Sequence, residues 1–185
     1  LFYASYMVLV TDANGCSTSE YINVNDDMAP TVSIFSTSNV SCNGGADGSA
    51  TVGVSGGTGP FTYNWSPSGG TAATATGLTA GTYTVSVVDA NGCQSLATTS
   101  PAISEPPPIS IALSITDVSC FGGNNGTATA SATGGTGTFT YIWLPMGTTG
   151  STINTLAANT YTVQATDANS CMATSTFTIG QPTTL

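Results

Sequence analysis

The chain of 185 residues contains no lysine, no arginine and no histidine, and its nine carboxylates give it a formal net charge of −9. A nucleic-acid-binding protein needs cations to displace the counterions around phosphates, and docking on an anionic membrane needs the same charges. Without histidine and lysine, Ser-His-Asp, Cys-His and Ser-Lys catalysis are excluded, together with imidazole metal ligands. We therefore expect no nucleic-acid partner and no cofactor, and only carboxylate chemistry or an all-oxygen metal site remains to be weighed.

Long apolar runs are also absent. None approaches the roughly 18 residues of a membrane-spanning helix, so we expect no membrane insertion. Residue 1 is not methionine and no signal-peptide pattern follows it, from which we expect a piece cut from a longer chain. The chain is nevertheless rich in Thr, Val, Ile and Tyr, which indicates folded β-structure rather than disorder.

The sequence repeats itself with an offset of 78 residues. "VSCNGGADGSATVGVSGGTGPFTYNW" begins at Val40 and "VSCFGGNNGTATASATGGTGTFTYIW" begins at Val118. "GLTAGTYTVSVVDANGC" and "TLAANTYTVQATDANSC" end 78 residues apart, and the opening "LFYASYMVLVTDANGC" matches the same element at an offset of 77. We therefore predict the C-terminal part of a truncated repeat at 1–27 and complete domains at 28–106 and 107–185.

Within each repeat the apolar pattern has period 2, and Gly-rich turns separate six or seven short strands. This indicates an all-β protein of tandem small antiparallel β-sandwiches of the immunoglobulin or PKD type. Trp65 and Trp143 lie in the middle strand, and Tyr83 and Tyr161 occupy the place of a tyrosine corner; all four are predicted core aromatics. Pro-rich junctions such as "SEPPPI" are typical of extended linkers, so we expect beads on a string forming a rod.

The five cysteines follow the repeat. Cys42 and Cys93 are 51 residues apart, as are Cys120 and Cys171, while Cys16 belongs to the truncated repeat and is expected to be unpaired there. We count four strands between the two cysteines of a repeat, and an even number of crossings returns the chain to the same end of the domain. We therefore expect structural disulfides within each repeat and an oxidising compartment, the alternatives being a Cys93–Cys120 bridge or reduced, buried thiols.

Three aspartates, Asp12, Asp89 and Asp167, stand at the end of a strand before Asn-Gly or Asn-Ser. Asn-Gly is a strong hairpin signal, and an aspartate two residues earlier accepts backbone N–H groups in an Asx turn. We therefore interpret the three aspartates as turn residues, not as metal ligands or catalytic groups.

Calcium is the one metal that carboxylates and carbonyls alone could hold, and the best place is the junction with Glu20, Asp26 and Asp27. The next junction, "ISEPPP", has one carboxylate, so a calcium site repeated along the chain is not expected. No pair of carboxylates faces a cleft in the pattern of a glycosidase, and we expect no enzymatic activity.

The ordered combination of C-x-G-G-x-[DN]-G-[ST]-A, G-G-T-G-x-[FY]-T-Y-x-W, G-T-Y-T-V and D-A-N-G-C resembles the SprB-type repeat over nearly the whole chain. The resemblance implies very long cell-surface proteins of gliding bacteria of the Bacteroidota, exported by the type IX secretion system through a distant C-terminal signal. Asn159 and Ser170 replace glycines of the pattern in the last repeat, which loosens individual turns.

The expected function is therefore that of a non-catalytic repeat segment of a long extracellular adhesin filament on the outer membrane, used for surface attachment and gliding. Its expected partners are polysaccharide or abiotic surfaces, contacted weakly at many points, the neighbouring repeats of the same chain, and the motility machinery. The alternatives are a passive stalk and a carbohydrate-binding module of another large surface protein. The carbohydrate-binding module would need exposed aromatic side chains.

Overall fold

The structure, a computed structural model, describes residues 4–24 and 28–184, and it contains only β-strands and connecting segments there. Within these ranges no helix has the length and apolarity needed to cross a membrane. The strands are β1 (Ala4–Thr11), β2 (Ser17–Val24), β3 (Thr31–Ser38), β4 (Gly48–Ser55), β5 (Thr62–Ser66), β6 (Thr74–Leu78), β7 (Thr84–Val88), β8 (Thr98–Thr99), β9 (Ser110–Thr116), β10 (Gly126–Thr133), β11 (Thr140–Leu144), β12 (Thr148–Thr149), β13 (Thr152–Leu156), β14 (Asn159–Thr166) and β15 (Met172–Ile179).

The strands of residues 107–185 form two sheets, with the orders β13-β10-β9 and β12-β11-β14-β15, and their recorded pairings are antiparallel. In chain order these strands take the places A, B, C, C′, E, F and G of an immunoglobulin-type sandwich. In such a sandwich, strands A, B and E belong to one sheet, and strands C, F and G belong to the other. The orders β3-β4-β6 and β5-β7-β8 repeat this arrangement without C′. The predicted all-β, immunoglobulin-like fold is confirmed.

The core of residues 107–185 is built by alternate residues that face inward from both sheets. Trp143 on β11 is fully buried and contacts Phe177 edge to face, with ring centroids 5.6 Å apart. Its indole Nε1 donates to Gly150 O at 2.7 Å, so the polar atom of this large side chain is satisfied inside the domain. Tyr161 Oη donates to Ala157 O at 3.0 Å, which is the backward hydrogen bond of a tyrosine corner.

Residues 28–106 place the corresponding aromatic side chains in the same way. Trp65 is 5% exposed and its Nε1 donates to Ala72 O at 2.9 Å, while Tyr83 is 3% exposed. Val85 and Val87, which follow at alternate positions of β7, are fully buried. The four predicted core aromatics of the two repeats therefore lie in the interior and not on an exposed binding face.

The last strand is interrupted in residues 28–106, where only β8 (Thr98–Thr99) forms, whereas β15 runs for eight residues. Two buried serines supply the hydrogen bonds that the missing strand would have made. Ser95 Oγ accepts from Val87 N at 2.8 Å, and Ser100 Oγ accepts from Tyr83 N at 3.3 Å. Pro101, which has no N–H to donate, follows directly and interrupts the pairing, which resumes where Ile103 and Gly81 exchange backbone hydrogen bonds.

Strands β1 and β2 form a separate antiparallel hairpin in full register, from Ala4 opposite Val24 to Thr11 opposite Ser17. The hairpin keeps large apolar side chains exposed on both of its faces. Leu9 is 58% exposed and Ile22 is 53% exposed.

The chain forms two compact units, each assembled from separate segments. The first comprises residues 1–36, 51–75 and 83–100, and the second comprises 37–50, 76–82 and 101–185. The second unit therefore holds the whole of the last repeat and, from the preceding repeat, the loop around Cys42. The repeat boundaries at 27/28 and 106/107 remain predictions from the sequence.

Candidate functional site

The three D-A-N-x-C turns have the same local structure. The Asp12 carboxylate accepts from Asn14 N and from Cys16 N, both at 2.9 Å. The Asp89 carboxylate accepts from the N–H groups at the same two positions, at 3.0 and 2.8 Å, and the Asp167 carboxylate at 2.9 Å in both cases. Each aspartate thus shapes a tight turn that ends on a cysteine.

Two of these carboxylates also hold a second loop. Asp89 accepts from Thr58 N at 3.0 Å, and Asp167 accepts from Thr136 N at 2.8 Å. Both threonines belong to the G-G-T-G segment of their repeat, 31 residues earlier in the chain. This link between the two motifs was not foreseen from the sequence, although their constant separation in both repeats was a usable signal.

The hydrogen bonds keep both carboxylates ionised. The Thr58 N–H is the main cause that lowers the pKa of Asp89, and the turn N–H groups add to it against the opposing effect of burial. Burial would raise the pKa of Asp167, but the N–H groups of Thr136, Cys171 and Asn169 outweigh it, so its pKa is also lowered. With these oxygens occupied by backbone donors, the aspartates act as structural acceptors.

Glycine is required where the G-G-T-G segment approaches other parts of the chain. A Cβ on Gly134, whose φ is +83°, would lie 2.0 Å from Pro108 O of the linker. A Cβ on Gly135, whose φ is +54°, would lie 2.7 Å from Asp167 Oδ2. Gly135 N also donates to Pro107 O at 2.9 Å. The proline linker is therefore packed against the repeat that follows it.

The predicted cysteine pairing is wrong. The structure joins Cys42 to Cys171, with their Cα atoms 5.6 Å apart and a sequence separation of 129. This bond links the loop after the first strand of one repeat to the D-A-N-S-C turn of the next repeat. The expected bonds Cys42–Cys93 and Cys120–Cys171 are both excluded, because Cys42 and Cys171 bond each other.

The number of strands differs from the predicted four in the last repeat only. In residues 107–185, five strands lie between Cys120 and Cys171, since the short β12 turns back along β11 before β13 begins. An odd number of crossings puts the two cysteines at opposite ends of the sandwich. Strand β12 could not be predicted, because two threonines in a Gly-rich turn do not form an apolar pattern. In residues 28–106 the predicted four strands do lie between Cys42 and Cys93, and there the bond from Cys42 to the following repeat alone overturns the predicted pairing.

Further contacts surround the disulfide. Asn169 Nδ2 donates to Ser41 O at 3.0 Å, so the turn residue Asn169 is bound to the loop that carries Cys42. A cavity of about 430 Å³ adjoins the bond and is lined by Cys42, Cys171 and Pro106–Pro108, among others. We call this group of residues (Ser41–Asn43, Pro106–Pro108 and Asn169–Cys171) the repeat joint. All of it lies within the second compact unit.

The remaining sequence-predicted residues lie elsewhere. Cys16 and Cys120 are exposed thiols, and Cys93 is half-buried at the end of its turn. Asp26 and Asp27, considered above for calcium, lie outside the described residues. In the part of the chain that the structure describes, no group of three or more Cys, Asp or Glu side chains could hold a metal ion.

The sequence profile of the SprB repeat matches residues 34–70 and 112–148. No curated relative matches the sequence. Among solved structures, the chain is similar to a C-terminal 282-residue fragment of intimin in complex with the intimin-binding domain of the translocated intimin receptor. The sequence identity is 18% and the TM-score is 0.39, and the match covers 82% of this chain and 63% of the intimin fragment. It is also similar to an amphioxus IgVJ-C2 molecule, at 16% identity and a TM-score of 0.32, covering 66% of this chain and 89% of that one.

Both structural scores are too low to support an argument about this chain, and the immunoglobulin-like assignment stands on the strand order given above. The profile matches fall at equivalent places, from the first strand to just after the buried Trp of each full repeat. The chain therefore contains a SprB-type repeat region, with one matched segment in each of its two full repeats.

Proposed function

We propose that this chain is a non-catalytic segment of a long extracellular adhesin filament, in which it transmits tension between the cell and an attached surface. The observation that carries the proposal is the disulfide between Cys42 and Cys171, because it joins one repeat to the next by a second covalent path. SprB repeats occur in cell-surface proteins, and a disulfide fits the oxidising conditions outside the cell.

The disulfide changes what happens when the chain is pulled at its ends. A force that enters through residue 42 crosses directly to residue 171 and bypasses the stretch between them. Unfolding within this stretch can then add no length between the ends. A filament built in this way keeps its length under load, which suits an adhesin that must transmit force from a surface to a motility apparatus.

The exposed faces of the sheets support weak, uncharged contact with polysaccharide or abiotic surfaces. Pairs of threonine hydroxyls face each other across neighbouring strands and are hydrogen-bonded side by side, as in Thr160 with Thr178 at 3.3 Å and Thr162 with Thr176 at 3.2 Å. With no Lys or Arg in the chain, binding would depend on many such contacts acting together. A saccharide-binding module whose aromatic platform is formed by Trp65 and Trp143 is not favoured, because both side chains are buried.

A test in cells follows from this proposal. Deleting residues 28–185 from the surface protein that carries them should reduce attachment to glass under flow and reduce colony spreading. Cys42→Ser should leave attachment in still medium unchanged but cause release at a lower shear stress. Normal attachment under flow after the deletion would refute the proposed role.

A further inference from the structure

The loop around Cys120 has the same structure as the loop around Cys42. In both, the N–H three residues after the cysteine donates to the cysteine carbonyl, from Gly45 to Cys42 O at 2.9 Å and from Gly123 to Cys120 O at 3.0 Å. The loops differ in their cysteines, since Cys42 is bonded to Cys171 whereas Cys120 is an exposed free thiol.

Each loop is also fixed to the segment that leaves the last strand of its own repeat. Gly44 N donates to the Glu105 carboxylate at 2.6 Å, and Gly122 N donates to Gln181 Oε1 at 3.0 Å. Glu105 and Gln181 both precede a proline, so the start of the outgoing linker is held beside the cysteine in both repeats. The Cys120 loop is therefore set in the conformation that the bonded Cys42 loop adopts.

A cavity of about 420 Å³ lies beside Cys120. It is lined by Phe121 and by Pro182–Thr184, which are the equivalents of residues that line the cavity of the repeat joint, namely Asn43 and Pro106–Pro108. In the repeat joint, the lining is completed by the following repeat, with Ser170 and Cys171 of its D-A-N-S-C turn and with Gly135, Met172 and Ala173. Phe121 is 58% exposed and adds apolar surface beside Cys120.

From these observations we propose that Cys120 and the cavity beside it are the acceptor half of a second repeat joint, and that its occupant is the D-A-N-x-C turn of a further SprB-type repeat. The first cysteine of every repeat then bonds the second cysteine of the next. This inference rests on the proposed function and extends it from one bond to a continuous series along the filament.

The bond forms by thiol–disulfide exchange with a small-molecule disulfide. The Cys120 thiolate attacks one sulfur of the oxidant, giving a mixed disulfide and releasing one thiol. The thiolate of the incoming cysteine then attacks the Cys120 sulfur and releases the second thiol. Two cysteines are oxidised to one disulfide, one small-molecule disulfide is reduced to two thiols, and the two cysteine protons pass to the released thiolates.

The test uses the full chain extended at its C-terminus by a second copy of residues 110–185, because Leu185 takes the place of Ile109. The added copy carries Cys120→Ser, so the one first-position thiol left to pair is Cys120 of the original chain. After refolding with oxidised and reduced glutathione, free thiols are alkylated and the protein is cut before each aspartate without reduction. This cleavage puts every cysteine on its own peptide, with Cys120 on residues 117–166.

We expect the peptide 117–166 to be linked to the C-terminal peptide of the added copy, and alkylation of Cys120 to fall at least tenfold relative to the unextended chain. In a matched control whose added copy carries Cys171→Ser instead, Cys120 should be alkylated as in the unextended chain. Full alkylation of Cys120 in the first protein, with the Cys42–Cys171 link present, would overturn this inference and leave the proposed function standing. A Cys42 linked to Cys93 would instead refute the proposed function.

Discussion

Pulling the oxidised chain at its two ends should extend it far less than pulling the reduced chain. The structural reason is the disulfide between Cys42 and Cys171, which carries the force past everything between these residues. The perturbation is the removal of this one bond, by a reductant or by Cys42→Ser.

The size of the effect follows from the length of the bypassed stretch. At about 3.5 Å per extended residue, the sequence separation of 129 between the two cysteines corresponds to about 450 Å of contour length. The whole chain of 185 residues would reach about 650 Å when fully extended, so the bond removes about two thirds of the available extension. In the chain-entropy description, closing a loop of this length also stabilises the folded state by about 5 kcal/mol.

Optical tweezers with handles at residues 1 and 185 measure this directly. The oxidised chain should reach a final contour length about 450 Å shorter than the reduced chain. Cys42→Ser should behave as the reduced chain in both conditions. Cys120→Ser, which exchanges the same atoms at an exposed free thiol, should behave as the unmodified chain.

Two results would refute the reasoning. Equal final lengths in the oxidised and reduced states would mean that no bond lies in the path of the force. Shortening by two separate loops of about 180 Å each would indicate the pairing of cysteines 51 residues apart within each repeat.

Three further predictions concern the packing of the last repeat. Trp143→Ala should lower the free energy of unfolding by about 3–5 kcal/mol in urea titrations, because this side chain is fully buried; a loss below about 1 kcal/mol would contradict its place in the core. Gly134→Ala should lower the melting temperature more than Gly147→Ala, although both glycines have a positive φ. An added Cβ at Gly134 would meet Pro108 O at 2.0 Å, whereas one at Gly147 would meet no atom within 4 Å. Equal melting temperatures of the two variants would disprove this contact. The lowered pKa of Asp167 means that its contribution is complete above its ordinary pKa of 3.8 and is lost as the pH falls through the lower folded value. Melting temperatures recorded between pH 6 and 2 should therefore fall at the acidic end, and less steeply for Asp167→Asn; a rise on acidification would contradict the assignment.

Much of the fold could be predicted because it depends on local patterns. The offset of 78 residues, the period of 2 and the Gly-rich turns led to the immunoglobulin-like sheets that the structure shows. The Asx turns at Asp12, Asp89 and Asp167 are local as well, since each carboxylate binds N–H groups two and four residues later. Such features require no knowledge of how distant parts of the chain are arranged.

The repeat joint could not be predicted for the opposite reason. Between Cys120 and Cys171, the two-residue strand β12 raises the number of strands from the predicted four to five. Between Cys42 and Cys93 the predicted four strands are present, yet Cys42 bonds a cysteine of the following repeat, and no local pattern indicates such a bond. The contact of Gly134 with the linker at Pro108 likewise depends on how the linker enters the following repeat. These features are set by tertiary structure, and a short polar strand leaves no pattern from which to infer them.

The proposed function rests on the pairing of Cys42 with Cys171, which peptide mapping without reduction can test. Cleavage of the oxidised, alkylated chain before each aspartate places Cys42 on residues 27–46, Cys93 on 89–116 and Cys171 on 167–185. We predict one linked species made of 27–46 and 167–185, which separates on reduction. A species linking 27–46 to 89–116, together with one linking 117–166 to 167–185, would contradict it.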